Sequence, residues 1–280
     1  DMQSNCRERN PLPENPLRAM ISPFATLAIV MIMLFLTPTI GAADTLTIDA
    51  AINKAGMQRM LTQRIAKSYL LVGQEVSTET ALKQLDASVA LFEQHLGELE
   101  DFSPTQEITA SLQDIRRSWN QFRQSAISKP ENSQALSLIK QASRLLELCE
   151  NNVQLFEAYL GSRKGELINL SGRQRMLSQR IGMLYVAKSW QIDDQTVEDA
   201  FALALKDFDH ALDLLTKSSL NTDEINQALS DVVSQWKFSR SGFELSESGR
   251  HVPFVIQVTT ESILKKMDAI TTLYVSIDPG

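Results

Sequence analysis

From residue 45 onward the apolar residues recur at helical spacing, three or four apart, and short polar breaks separate the runs. Thr45 and Thr47 are caps for a first helix reaching about Val72, with Gly73 to end it. A second helix fits Thr78 to Glu100, burying Leu82, Leu85, Val89, Phe92 and Leu96. Ser103-Pro104 reads as a cap followed by proline at the first helical position, opening a third helix with Ile108, Leu112, Ile115, Trp119 and Phe122 inward. Lys129-Pro130 ends it, and a fourth begins near Asn132, carrying Leu136, Ile139, Leu146, Cys149, Val153 and Phe156. The plan then repeats. A helix closes over Leu184 to Trp190, Asp193-Asp194 caps the next, Asn221 opens a third, and Pro253 precedes the last, Phe254 to Tyr274. Long helices joined by short turns predict an all-α fold of two tandem antiparallel four-helix bundles.

The repetition is literal in one helix of each half. Ile52-Asn53-Lys54-Ala55-Gly56-Met57-Gln58-Arg59-Met60-Leu61-Thr62-Gln63-Arg64-Ile65 returns as Ile168-Asn169-Leu170-Ser171-Gly172-Arg173-Gln174-Arg175-Met176-Leu177-Ser178-Gln179-Arg180-Ile181, at a constant offset of 116. At 100° per residue, Ile52, Gly56, Arg59, Gln63, Ala66 and Leu70 share one stripe, as do Ile168, Gly172, Arg175, Gln179, Gly182 and Val186. Small residues on such a stripe let another helix approach closely. That places a guanidinium in a partly dry seam, where it keeps its charge and needs an anion. A facing carboxylate such as Glu147 or Glu150 meets that need in a purely structural reading. A small planar oxyanion meets it in a receptor reading, since the guanidinium fork matches two oxygens and Gln63 or Gln179 can donate to a third. Arg64 and Arg180 project about 140° away, alongside Asn53 and Asn169, towards helix-end carbonyls or acidic residues.

Ahead of the helices, the apolar run Phe24 to Leu36 follows Arg18 and leads into Thr37-Pro38-Thr39-Ile40-Gly41-Ala42-Ala43. Charged, apolar, helix-breaking and small is the order of a secretory signal cleaved near Ala43, so the mature part is expected in the periplasm. The alternative is an inner-membrane anchor over residues 21–40. A net charge of −7 argues against nucleic acid as a partner. Two cysteines, Cys6 and Cys149, make no disulfide framework. His95, His210 and His251 stand apart at surface or boundary positions without metal-ligand spacing, and no nucleophile–base set or phosphate loop occurs. Neither an enzyme nor a cofactor or metal is expected. Met57, Met60, Met176 and Met183 read as core filler, and Trp119 and Trp236 as bundle anchors.

The pattern Ile52-Asn53-x-Ala55-Gly56-x-x-Arg59-Met60-x-x-x-Arg64 resembles the signature helix of NarX-type nitrate/nitrite sensor periplasmic domains. It is closer still to the N-terminal domain of type IV pilus methyl-accepting transducers, the PilJ type. The resemblance extends over Thr45 to Ile277 and is specific across the two motif helices. In the nitrate sensors that helix lines a dimer interface where one arginine from each subunit grips one anion. The resemblance carries this role to Arg59 and Arg175. Gln58 and Gln174 stand where the nitrate sensors have an apolar residue, following the pilus type.

The expectation is therefore a signal region (1–43) followed by two PilJ/NarX-type bundles, 44–162 and 163–280. Together they form a periplasmic sensory module for a nitrate- or nitrite-like anion, without its own output domain. Its ligand set is Arg59, Arg175, Gln63, Gln179, Gly56 and Gly172. The unit is either a homodimer or an intrachain pseudo-dimer, and a membrane sensor or transducer is its expected partner. The other reading is an envelope protein–protein interaction module tied to such a transducer or a sensor kinase, with no small ligand.

Overall fold

The computed structural model describes residues 46–247 and 252–277, which fall within one compact unit, Leu46–Gly280. The signal segment, Cys6 and His251 lie outside the described residues. Among the described residues there are eight helices and no strand: α1 Ile48–Gly73, α2 Thr78–Phe102, α3 Gln106–Ala126, α4 Asn132–Leu160, α5 Arg163–Ser189, α6 Gln195–Thr216, α7 Asp223–Glu247 and α8 Pro253–Ser276. None of them is long and apolar enough to cross a membrane.

Local chemistry sets most of the boundaries. Thr47 caps α1 by accepting from the Ala50 amide at 3.2 Å, and Asp194 caps α6 through the Thr196 amide at 2.9 Å. The start of α3 falls later than Ser103-Pro104 predicts. Thr105 is the residue that accepts from an amide, that of Ile108 at 3.2 Å, and Ser103 bonds to Thr109 instead. The seventh helix likewise starts after Asn221, with Thr222 accepting from the Ile225 amide at 3.2 Å. Between the halves the helix is broken. Gly161 takes φ 63°, open to glycine at no steric cost, and Ser162 caps α5 through the Gly165 amide.

Each half closes as a ring of four. In the first, α1 packs on α2 and α4, and α3 completes the ring against α4 and α2. In the second, α5 packs on α6 and α8, with α7 against α8 and α6. The same anchors recur. Phe92 stacks on Trp119, and Phe208 meets Trp236 tilted by 34°, each at 4.0 Å between ring centroids. The Trp119 Nε1–H donates to Glu93 and that of Trp236 to Asp209, both at 2.6 Å. Leu82 departs from the predicted core, at 43% exposed.

The most extensive helix contact joins the halves, α1 against α5. These helices run in the same direction. Asp49 in the first turn of α1 pairs with Lys164 in the first turn of α5 at 2.8 Å. Beyond the far end of α1, Gln74 donates to the Val186 carbonyl at 2.9 Å and accepts from Ser189. Each motif helix is therefore central, covered on three sides. Gln58, Thr62, Gln63, Lys67 and Ser68 are buried beside the aliphatic residues for that reason.

Candidate functional site: the α1–α5 seam

Arg59 and Arg175 are both fully buried, and the parallel packing brings them together. A Cβ placed on Gly56 would stand 3.4 Å from Arg59 Nη2 and 3.5 Å from Arg175 Nη2. One placed on Gly172 would stand 3.2 Å from Arg175 Nη2 and 3.4 Å from Arg59 Nη2. The two glycines thus form the floor on which both guanidiniums rest.

Each guanidinium reaches outward and across. Arg59 Nη1 donates to Glu150 on α4 at 2.6 Å, and Arg175 Nη1 donates to Asp268 on α8 at 2.7 Å. The inward nitrogens receive only uncharged partners. Arg59 Nη2 donates to the Asn169 carbonyl at 3.2 Å; Arg175 Nη2 donates to the Asn53 side-chain oxygen at 2.7 Å and to its carbonyl at 3.3 Å. Among the described residues neither Nε atom, both of them buried, has a hydrogen-bond partner. Burial lowers the Arg175 pKa and Arg59 acts in the same sense, against Asp268. Burial pushes the Glu150 carboxyl up, but Arg59 and Arg173 outweigh it and hold the group below its usual range.

Of the six residues predicted for this site, the seam assembles four: Arg59, Arg175, Gly56 and Gly172. The two glutamine amides are spent elsewhere. Gln63 donates to Thr62 Oγ1 and the Ala142 carbonyl, and Gln179 to Ser178 Oγ and the Thr260 carbonyl. Asn53 and Asn169, expected on the face of Arg64 and Arg180, instead meet the arginine of the opposite copy. Glu150 was legible as a structural counter-charge. Asp268 was not, although Glu150→Asp268 and Ala142→Thr260 share one offset of 118 between α4 and α8.

A second cluster crosses the seam. Lys67 is fully buried and reaches Glu261 on α8 at 2.8 Å, and Arg64 takes the other oxygen at 2.7 Å. Gly182 makes room for it: a Cβ there would sit 3.1 Å from Lys67 Cδ. Burial lowers the Lys67 pKa, opposed by Glu261.

His95 is buried rather than at the surface, 7% exposed. Its pKa falls to about 4, through burial first and then Lys54, with Arg175 adding and Glu98 opposing. The ordinary value of 6.5 then belongs to the unfolded chain, so between 6.5 and about 4 the unfolded state binds the extra proton. Stability contributed by the neutral ring is full above pH 6.5 and lost on acidification towards pH 4, up to about 3 kcal/mol. Denaturant midpoints measured across that range should fall with pH, and His95→Gln should flatten the slope while leaving losses from Glu150 and Glu261 at lower pH. An unchanged slope would mean that the imidazole is not held neutral.

Among the described residues no group of histidines, cysteines and carboxylates is arranged to hold a metal ion. The family described as "Type IV pili methyl-accepting chemotaxis transducer N-term" matches residues 47–145 and again residues 161–248. No curated protein and no solved structure matches the chain. The two matched segments take in both motif helices and more than half of the sequence, and such domains serve transducers in sensing rather than catalysis. This chain belongs to the family of type IV pilus methyl-accepting chemotaxis transducer N-terminal domains, with two copies in tandem.

Proposed function

We propose that the chain is a periplasmic sensory module whose α1–α5 seam binds one small planar oxyanion, nitrate or nitrite in class, between Arg59 and Arg175. In this reading segments 44–162 and 163–280 stand in for the two subunits of a sensor dimer. One observation carries it: two guanidinium Nη2 groups converge over two glycines and, among the described residues, donate to no carboxylate. The counter-charges lie outside, on Glu150 and Asp268. Like charges in a dry seam repel, and an anion bridging the inward nitrogens would relieve that repulsion. Glu150 is 24% exposed and Asp268 47%, so either can turn to water as the anion enters.

A thermal-shift series on the full chain tests this. Nitrate at a hundredfold excess over Kd should add about 2.7 kcal/mol of stability. Arg59→Lys and Arg175→Lys keep the charge but lose the fork, and each should abolish the shift. Glu150→Gln should enlarge it by removing the competing carboxylate. A wild-type chain indifferent to nitrate, nitrite and related oxyanions would overturn the proposal.

A second reading has its own support. Because each arginine already owns a carboxylate, the seam also suits a joint that only couples the halves of a protein-binding module. Exposed Phe254, Val255 and Val258 on α8 would then belong to the contact with a transducer. That reading predicts partner binding unaffected by either arginine-to-lysine change.

A further inference from the structure

We infer that the groove between α4, α5 and α6 is a second site, independent of the seam, for a zwitterionic amino acid with an apolar side chain. Its cation is Arg180, and its origin is visible by comparing the two copies. In the first, Arg64 and Lys67 share Glu261. At the positions matching Arg64, Lys67 and Glu261 across the duplication stand Arg180 and Met183 on α5 and Ser143 on α4. Lysine and glutamate have gone together while the arginine stays. Arg180 Nη1 donates to Gln63 Oε1 at 3.1 Å and to Ser143 Oγ at 3.5 Å, and among the described residues it makes no ion pair. Burial lowers its pKa, with Glu147 and Asp207 opposing from farther off.

Arg180 lines a groove of about 370 Å³, within the range that encloses small molecules. Glu147 lines the same groove, exposed and without an ion pair among the described residues. The other charged groups there are committed: Arg173 to Asp207 at 3.0 Å, and Glu150 to Arg59. One cation and one anion are thus left uncommitted in one groove yet not paired with each other. The same groove is lined by the apolar Leu146, Met176, Leu177 and Leu203, and Leu203 stands 58% exposed. A ligand carboxylate satisfies Arg180, its ammonium satisfies Glu147, and its side chain covers the leucines. A simple inorganic anion would use only the first of these features.

Calorimetric titration of the full chain with L-leucine and L-methionine is the test, beside 4-methylpentanoate and 3-methylbutylamine, which each keep one charge of leucine. The amino acids should bind at least tenfold more tightly than either analogue. Ser143→Glu places beside Arg180 the carboxylate that Glu261 gives Arg64, and should weaken amino-acid binding at least tenfold with the melting temperature preserved or raised. Glu147→Gln, a change on the exposed rim, should weaken the amino acids similarly and leave 4-methylpentanoate unaffected. Arg59→Lys should change none of these, which separates this site from the seam. Absence of binding by both amino acids at millimolar concentration, an analogue that binds as tightly as leucine, or undiminished binding in Glu147→Gln would overturn the inference.

Discussion

Replacing Glu261 by serine alone is expected to destabilise the protein by about 3–5 kcal/mol, because it strands a buried ammonium. Lys67 is fully buried, and among the described residues Glu261 is its only ion-pair partner. Arg64, which shares that carboxylate, then adds repulsion where it had been held in check. The symmetry-related place is filled without the pair, with Met183 on α5 and Ser143 on α4 at the matching positions. The double change Lys67→Met/Glu261→Ser should therefore recover most of the loss. A well-packed apolar group often equals or improves on a buried ion pair, since the desolvation cost of both charges is avoided. Urea unfolding of the two single variants and the double variant gives the coupling directly. Additive losses would mean that the two groups do not act as a pair.

Trp119→Ala should cost a similar amount, about 3–5 kcal/mol, by opening a large cavity in the first bundle. The indole is wholly buried, stacks on Phe92 and donates to Glu93 at 2.6 Å, so truncation also removes the partner that helps hold that carboxyl below its usual range. At roughly 2–4 °C per kcal/mol for a domain of this size, the melting temperature should fall by about 10 °C. Trp119→Phe keeps much of the volume and should recover over half of the loss. Trp236→Ala, with a tilted Phe208 contact at the same 4.0 Å and the same kind of donation to Asp209, should fall by a comparable amount. A loss in one copy alone would mean that the duplicated bundles are not energetically equivalent.

What could be read without coordinates was what nearest neighbours along the chain decide. Thr47, Asp194 and Lys129-Pro130 mark helix ends through backbone amides or φ preferences a few residues away. The apolar stripes of α3 and α4 were legible because those helices are one-sided. The Ser103-Pro104 start was misplaced by two residues because Thr105 offers an equally good cap.

Less was legible on α1 and α5. A central helix contacted on three sides has no single apolar face, so periodicity leaves the roles of Gln58, Lys67 and Gln174 undecided. The small-residue stripe still pointed to Arg59 and Arg175, and the coordinates put both over Gly56 and Gly172. Of the partners of these arginines, Glu150 was one of two carboxylates the sequence offered, whereas Asp268 on α8 lies 93 residues from Arg175, where no local rule reaches it. His95 shows the same limit: nothing in its neighbours along the chain announced that it is buried.

The most direct measurement is a calorimetric titration of the full chain with nitrate that reports stoichiometry. Two guanidiniums sharing one guest should give one nitrate per chain, with binding lost in Arg59→Lys and in Arg175→Lys alike. Two independent nitrates per chain, binding that survives either substitution, or no heat at all would contradict a shared seam.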